Sequence, residues 1–356
     1  MDLGELRARI DALDDAILRL LNERAGLAAQ VGELKRGQPG SFYVPSRERA
    51  IVARLQAANP GPFPSEALRP VFQEIFSACL ALEKGLRIAF LGPEGTFTHQ
   101  AMKHQFGLSA HGVPAPTIAA VFDEVEKGRA EFGVVPIENS TEGVVTHTLD
   151  TILDSDLRIS AEIVLDVDHC LLGRPALALA DIQRVYSHAQ GLGQCRRWLE
   201  AHLPEAARIE APSTGEAARL AREDAAGAAV APELAADLHD LVVLQASIQD
   251  LKANATRFLV IGKEQAAPTG RDRTSLMVIT KEGPGVLHEM LGPFADAGLN
   301  LTKIESRPSR RKAWENVFFL DVDGHQALEP LASALQAMGP HCEMLKVLGS
   351  YPRAGA

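Results

Sequence analysis

Between Leu3 and Leu34 the chain carries two interleaved seven-residue series: Leu3, Ile10, Ile17, Arg24, Val31 and Leu6, Leu13, Leu20, Leu27, Leu34. Nine of these ten seam positions are aliphatic and one is Arg24. A single helix cannot bury such a seam by itself. The pattern requires a partner helix over about 30 residues and predicts a long intertwined helical dimer. Arg24 then faces an apolar interior, where an uncompensated guanidinium is costly, so an anion must meet it, either a buried carboxylate or a ligand.

Lys35 lies 11 residues further on, within about 20° of Arg24 on the helical wheel, whereas Arg7 is turned about 100° away and is placed to reach a neighbouring subunit. The breaker Gly37-Gln38-Pro39-Gly40 leads to a second helix, with Ser46 as its expected N-cap before Arg47-Glu48-Arg49. In a third helix the 4-3-4 spacing of Phe72, Phe76, Cys79 and Glu83 puts a carboxyl on an apolar face, where protonation is favoured. Cations converging with a protonatable acid suit a small dianion that carries an ether or hydroxyl oxygen.

The overall charge agrees with a small substrate. Thirty-six Lys+Arg against 46 Asp+Glu give a net charge of -10, which argues against a nucleic-acid partner. No run of 18 apolar residues occurs and Met1 to Arg9 has no apolar signal core, so a cytoplasmic location and no membrane partner are expected. Cys79, Cys170, Cys195 and Cys342 are far apart and read as buried thiols, with neither a metal site nor a disulfide framework.

A chain of 356 residues exceeds one core, and its grammar changes twice. Residues 1–85 are helical. Residues 86–264 alternate short apolar runs with helical patterns, which predicts an α/β fold. Three strand ends there run into hydroxyl- and amide-rich loops: Gly92 to Thr98, Ile137 to Gly143 and Ser187 to Cys195. A fourth such segment, Asn254 to Phe258, precedes the last strand. Together they imply one cleft, although any one Ser or Thr can equally be a helix cap. Residues 272–352 read as βαββαβ, the ferredoxin-like order of an α+β domain.

Three family resemblances follow from these residues. Leu6-Arg7, Leu13-Asp14, Asn22-Glu23-Arg24, Lys35 and Arg47-Glu48-Arg49, followed by Cys79 and Glu83, resemble the all-helical chorismate mutases. The resemblance implies that Arg24 and Lys35 hold the substrate's carboxylates and ether oxygen, and that Arg7 comes from the partner subunit. Arg47, Glu48 and Cys79 complete the pocket, and a protonated Glu83 donates to the ether oxygen. Val44 stands where the family often has Asp.

Gly92-Pro93-Glu94-Gly95-Thr96-Phe97, Val135 to Ser140, Asp168-His169-Cys170-Leu171, Tyr186-Ser187-His188 and Thr256-Arg257-Phe258 resemble prephenate dehydratases over about 87–263. That family implies two α/β lobes like those of periplasmic binding proteins, with chain crossings near 165 and 255. It assigns Asn139, Ser187, Gln194 and Thr256 to substrate contact. Thr256 would assist the departing hydroxyl and Arg257 would orient a carboxylate. The proton relay is left open between water, Glu138 and His188. Gly283-Pro284-Gly285-Val286-Leu287 and Glu305-Ser306-Arg307-Pro308 resemble the ACT domains fused to such dehydratases. They imply a phenylalanine site formed by Gly285, Val286, Leu287, Glu305, Ser306 and Arg307, with Val286 in place of the usual Ala. The combined expectation is a multidomain bifunctional enzyme that converts chorismate to prephenate and prephenate to phenylpyruvate without cofactor or metal. It would be inhibited by phenylalanine and assembled as a homodimer or higher oligomer. A small-molecule sensor without turnover is the alternative from a different class.

Overall fold

The computed structural model describes residues 2–35, 43, 45–83, 85–309 and 315–354. They form two compact units: the chain up to Arg87 together with Phe106–His111, and Ile88–Gln105 together with the chain from Gly112 onward. Among the described residues no helix is long and apolar enough to cross a membrane.

The first unit contains α1 (Leu3–Lys35), α2 (Pro45–Ala58) and, after a short 3-10 turn, α3 (Leu68–Glu83). These are the three expected helices, with one local correction. The second begins at Pro45, whose missing N–H costs nothing in a first turn, so Ser46 lies inside the helix rather than capping it. The nine aliphatic seam residues of α1 are between 41% and 74% exposed within the single chain, so α2 and α3 leave the seam uncovered. An apolar stripe of that length is what a partner helix buries.

The second unit opens with β1 (Arg87–Leu91), α4 (Phe97–Phe106), β2 (His111–Ala115), α5 (Ile118–Glu126), β3 (Phe132–Asn139), β4 (Gly143–Val144), α6 (Thr146–Asp154) and β5 (Arg158–Asp166). The chain then crosses into a second lobe. This lobe holds β6 (Cys170–Gly173), β7 (Arg184–Ser187), α7 (Ala189–Gln194), α8 (Arg196–His202), β8 (Ala207–Glu210), α9 (Thr214–Glu223), β9 (Gly227–Ala231), α10 (Leu234–Leu238) and β10 (Val242–Gln245). It returns as β11 (Ala255–Gly262), which enters the first sheet between β3 and β5 and runs antiparallel to both.

The sheet orders are β2-β1-β3-β11-β5, with β4 beside β3, and β10-β6-β9-β7-β8. The two crossings fall where the family resemblance implied them, and they bond to each other through Val167 N donating to Asn254 O at 2.8 Å. The lobes also touch at Gly215, at the start of α9. A Cβ there would overlap the carbonyl oxygen of Glu94, so only glycine permits this approach.

The C-terminal part is β12 (Asp272–Thr280), α11 (Val286–Asp296), β13 (Leu301–Pro308), β14 (Asn316–Asp323), α12 (Leu331–Met338) and β15 (Cys342–Pro352). Its sheet order, β13-β14-β12-β15, is the ferredoxin-like one, and every pair is antiparallel. The period of two along β12 separates its faces. Leu276 and Val278 pack with Met290 and Phe294 of α11, while Met277 and Ile279 join Ile137, Leu149, Ile159 and Leu259 of the first lobe in one core. The ferredoxin-like sheet is therefore fused to the first lobe through apolar burial.

Candidate active sites

In the helical unit Arg24 of the first helix meets Cys79 of the third, and Glu48 of the second lies within reach of the Arg24 charge. Arg24 of α1 donates from Nη1 to the Sγ of Cys79 on α3 at 2.9 Å, and its guanidinium lies 5.1 Å from the ring centre of Phe76. Cys79 is buried and Arg24 and Glu48 are half-buried. Burial pushes the Glu48 carboxyl up to about 8, with the Arg24 charge pulling the other way. Arg47 and Arg7 are exposed. Seventeen residues of helix separate Arg7 from Arg24, about 25 Å at 1.5 Å per residue, so the two cannot serve one pocket within one chain. The side chains of Lys35 and Glu83 lie outside the described residues, as does Val44.

The second constellation lines a cavity of about 350 Å³ between the two lobes, a size suited to a small molecule. Asn139 and Thr256, paired across β3 and β11, stand on its floor. The Asn139 Nδ2 donates to Asn254 Oδ1 at 2.8 Å and to Thr256 Oγ1 at 2.9 Å. Its Oδ1 accepts from the Thr141 hydroxyl at 2.7 Å and from the Thr141 and Glu142 amides, each at 3.0 Å. Asn139 is thus fully engaged, and Thr256 Oγ1, which accepts from it, keeps its hydroxyl proton to donate elsewhere.

Facing them are Thr96 and Thr98 from the first lobe and His188, Gln194, Ser213 and Thr214 from the second. Some hydroxyls are indeed caps: Thr96 Oγ1 accepts from His99 N at 3.3 Å and Ser213 Oγ from Glu216 N at 3.0 Å. Among the described residues lining the cavity none is Lys or Arg, so charge on a ligand must be met by N–H groups, hydroxyls and amides at the ends of α4 and α9.

Two site expectations need correction here. Ser187 is fully buried and its hydroxyl donates to Val230 O at 2.6 Å, so it braces β7 against β9 and does not line the cavity. Arg257 follows Thr256 on β11, and alternation turns its side chain to the other face of the sheet. There Nε donates to Glu162 at 2.8 Å, Nη1 to Asp321 at 2.5 Å and Nη2 to the Tyr351 hydroxyl at 2.9 Å. It binds the two sheets together and is not available to orient a ligand carboxylate.

Comparisons with known proteins place these geometries in a lineage. Residues 6–84 match the type II chorismate mutase family, 88–266 the prephenate dehydratase family and 274–339 the ACT domain family. The bifunctional chorismate mutase/prephenate dehydratase of Aquifex aeolicus (strain VF5) is 49% identical over 99% of this chain and 98% of its own. The chain belongs to the bifunctional chorismate mutase/prephenate dehydratases.

Among solved structures, the prephenate dehydratase from Arthrobacter aurescens in complex with L-Phe is 37% identical, with a TM-score of 0.69 over 76% of this chain and 90% of that one. GqqA, described as a novel type of quorum quenching acylase, is 32% identical with a TM-score of 0.70 over 76% of this chain and 98% of that one. The lobed fold alone thus carries more than one named activity, and it is the full-length relative that identifies this family member as bifunctional.

Within the dehydratase part of this bifunctional enzyme, Glu138 forms an ion pair with Lys303 of β13 at 2.7 Å and does not line the cavity, whereas His188 does. In the ACT part, Gly285 adopts φ +79 at the start of α11, Val286 is half-buried and Leu287 is exposed. Glu305, Ser306 and Arg307 lie on the edge strand β13, where Arg307 pairs with Asp150 of α6 at 3.3 Å. Register aligns Ile279 with Val317 and Val317 with Arg307, so both effector segments sit at one end of the sheet, two strands or about 10 Å apart.

Sequence reasoning placed Asn254 in a cleft segment without giving it a role, and missed Glu162, Asp321 and Tyr351, whose importance arises from pairing across strands far apart in the chain. The four cysteines are buried, as expected, and burial pushes the Cys170, Cys195 and Cys342 thiols up, away from reactivity.

Proposed function

We propose that the helical unit rearranges chorismate to prephenate at Arg24, Glu48 and Cys79, with Lys35, Arg47 and Glu83 completing the pocket and Arg7 supplied by a partner subunit across the exposed α1 seam. The rearrangement needs no proton transfer. The site holds one conformer of the substrate and stabilises charge developing on the ether oxygen. Glu48 contributes as a protonated donor. Its folded pKa of about 8 lies above the ordinary carboxylate value of 4.5. The proton is therefore held below about pH 8 and lost above it, so mutase kcat/KM should fall as pH rises through about 8. Glu48→Gln should flatten that fall, and an unchanged profile in the variant would remove the role. By the same linkage, the stability this group contributes is full below about pH 4.5 and is lost as pH rises toward 8.

The central cleft then converts prephenate to phenylpyruvate, losing CO2 and water and gaining an aromatic ring. The Asn139 to Thr256 hydrogen bond at the cavity supports this reading, since Thr256 accepts from Asn139 and keeps its O–H to donate to the leaving hydroxyl. Hydroxyl, amide and backbone N–H groups hold the two carboxylates, and closure of the lobes excludes water. Phenylalanine, bound at the Gly285–Leu287 turn and the Glu305–Arg307 strand, lowers dehydratase activity through the shared core.

The direct test is to incubate the purified chain with chorismate and follow chorismate, prephenate and phenylpyruvate by chromatography, with and without phenylalanine. Phenylpyruvate formation, reduced by phenylalanine, is expected. Binding of chorismate and phenylalanine with no turnover would favour the sensor reading instead. Thr256→Val, which keeps the shape and removes the donor, should lower dehydratase kcat by roughly 100-fold or more and spare the mutase. A wild-type dehydratase rate in this variant would take Thr256 out of the reaction.

A further inference from the structure

At the inner end of the cleft, in the crossing segment between β5 and β6, sits a histidine that the reaction as described above does not use. His169 is only 2% exposed and lines the cavity. Its backbone is fixed at both ends of the residue, with His169 N donating to Gln249 Oε1 at 3.0 Å and His169 O accepting from Ile248 N at 2.9 Å. The Phe97 ring meets the imidazole edge-on at 5.1 Å between centres, so the ring has little freedom to turn. Its Nε2 lies 2.9 Å from Gln194 Oε1. Two buried polar atoms of this pair, His169 Nδ1 and Gln194 Nε2, have no hydrogen-bond partner among the described residues.

We infer that His169 is a positioning residue for the dehydratase reaction: its Nε2–H holds the Gln194 carbonyl oxygen and thereby turns the Gln194 NH2 into the cleft as a donor to an oxygen of the bound dianion. A carboxamide is nearly symmetric in shape, and only its hydrogen bonds decide which end faces a ligand. A carbonyl oxygen can only accept, so with the Gln194 oxygen turned to His169 the 2.9 Å contact places the proton on Nε2 and leaves Nδ1 as the bare acceptor. Burial holds the imidazole below its ordinary pKa, which keeps it neutral and limits it to one N–H. Gln194 lines the same cavity as Thr256, from α7 of the other lobe, so its donor and the Thr256 hydroxyl are placed to address one ligand. A buried, unsatisfied NH2 is costly when the cleft is empty and is satisfied when a polar ligand enters, which gives a preference for an anionic or hydroxyl-bearing ligand over an apolar one.

This inference rests on the dehydratase reading of the cleft, and the experiment separates the two. In the full-length chain, with mutase activity measured in the same sample as an internal standard of folding, His169→Leu should lower dehydratase kcat/KM by roughly 10- to 100-fold. His169→Gln, which places an amide N–H near the Nε2 position, should recover most of it. In a Gln194→Ala background His169→Leu should cost less than about twofold more, because its effect runs through Gln194. Losses that multiply independently in the double variant would overturn the inference, as would an undiminished rate in His169→Leu. Should the leucine variant misfold, 15N NMR of histidine-labelled wild-type protein decides directly: a neutral Nε2–H tautomer at His169 supports the inference and an Nδ1–H tautomer refutes it. If the wild type fails to turn over prephenate, the dehydratase reading falls while the tautomer result stands on its own.

Discussion

Replacing Arg257 with Met should destabilise the second compact unit by about 3–5 kcal/mol, the usual cost of removing one partner from a buried ion cluster. The guanidinium is 12% exposed and the Glu162 and Asp321 carboxylates are 2% and 8% exposed. Without it, Asp321 keeps only the Ser275 hydroxyl at 2.5 Å, and Glu162 retains Arg273 at 2.6 Å and Ala354 N at 2.8 Å. Burial opposes the charge on Arg257, but the Tyr351, Asp321 and Glu162 groups around it overcome that penalty and hold it protonated. The dehydratase transition in calorimetry should move down by several degrees while mutase activity persists. Dehydratase activity should fall as well, since Thr256 precedes Arg257 on the same strand and depends on that strand's register. Arg257→Lys keeps the charge but loses the three-way fork and should be intermediate. An unmoved transition in Arg257→Met would mean that the apolar core alone joins the sheets.

The second large effect is expected at Arg24. Arg24→Ala should reduce mutase kcat/KM by roughly 100- to 1,000-fold, in line with loss of one preorganised charge donor. It should leave the dehydratase rate on supplied prephenate unchanged. The change acts twice, because Arg24 also restrains the Glu48 carboxyl, and its removal lets burial push Glu48 still higher. Arg24→Lys retains a cation but not the planar contact with the Phe76 ring or the bond to Cys79, so a partial loss is expected. Steady-state rates on chorismate and on prephenate, measured for each variant, check both statements. A mutase rate within threefold of wild type would place the substrate away from Arg24.

The regulatory reading gains a physical route from the same contacts. Lys303 and the expected effector residues Glu305 and Arg307 alternate along one face of β13, and that face meets the dehydratase lobe, Lys303 at Glu138 and Arg307 at Asp150. Glu138 adjoins Asn139 in the chain, as Arg257 adjoins Thr256. A shift of β13 or β14 therefore arrives one residue away from each member of the Asn139 and Thr256 pair.

Much of this was legible in the chain itself. Heptad spacing with one charged position announced α1, its exposed seam and the place of Arg24, because a helix repeats its face at short range and any departure from apolar character stands out. The βαββαβ order was readable for a similar reason, since turn residues and changes of period are local signals, whereas the two crossings near 165 and 255 came only from the family resemblance. Single residues at strand ends, such as Asn139 and Thr256, were placed in the cleft by their motifs. What only the tertiary structure decided was the direction of side chains whose partners lie far away. Arg257 resembled a ligand for carboxylate because it follows Thr256, yet alternation across a strand sends it to the opposite face, where Glu162 and Asp321 come from 95 residues upstream and 64 downstream. Ser187 resembled a cleft hydroxyl, yet a carbonyl on β9 accepts its hydrogen bond. Local pattern sets which elements form and which face is apolar, whereas the identity of a buried polar group's partner is settled by which strands become neighbours, and that depends on the packing of the whole unit.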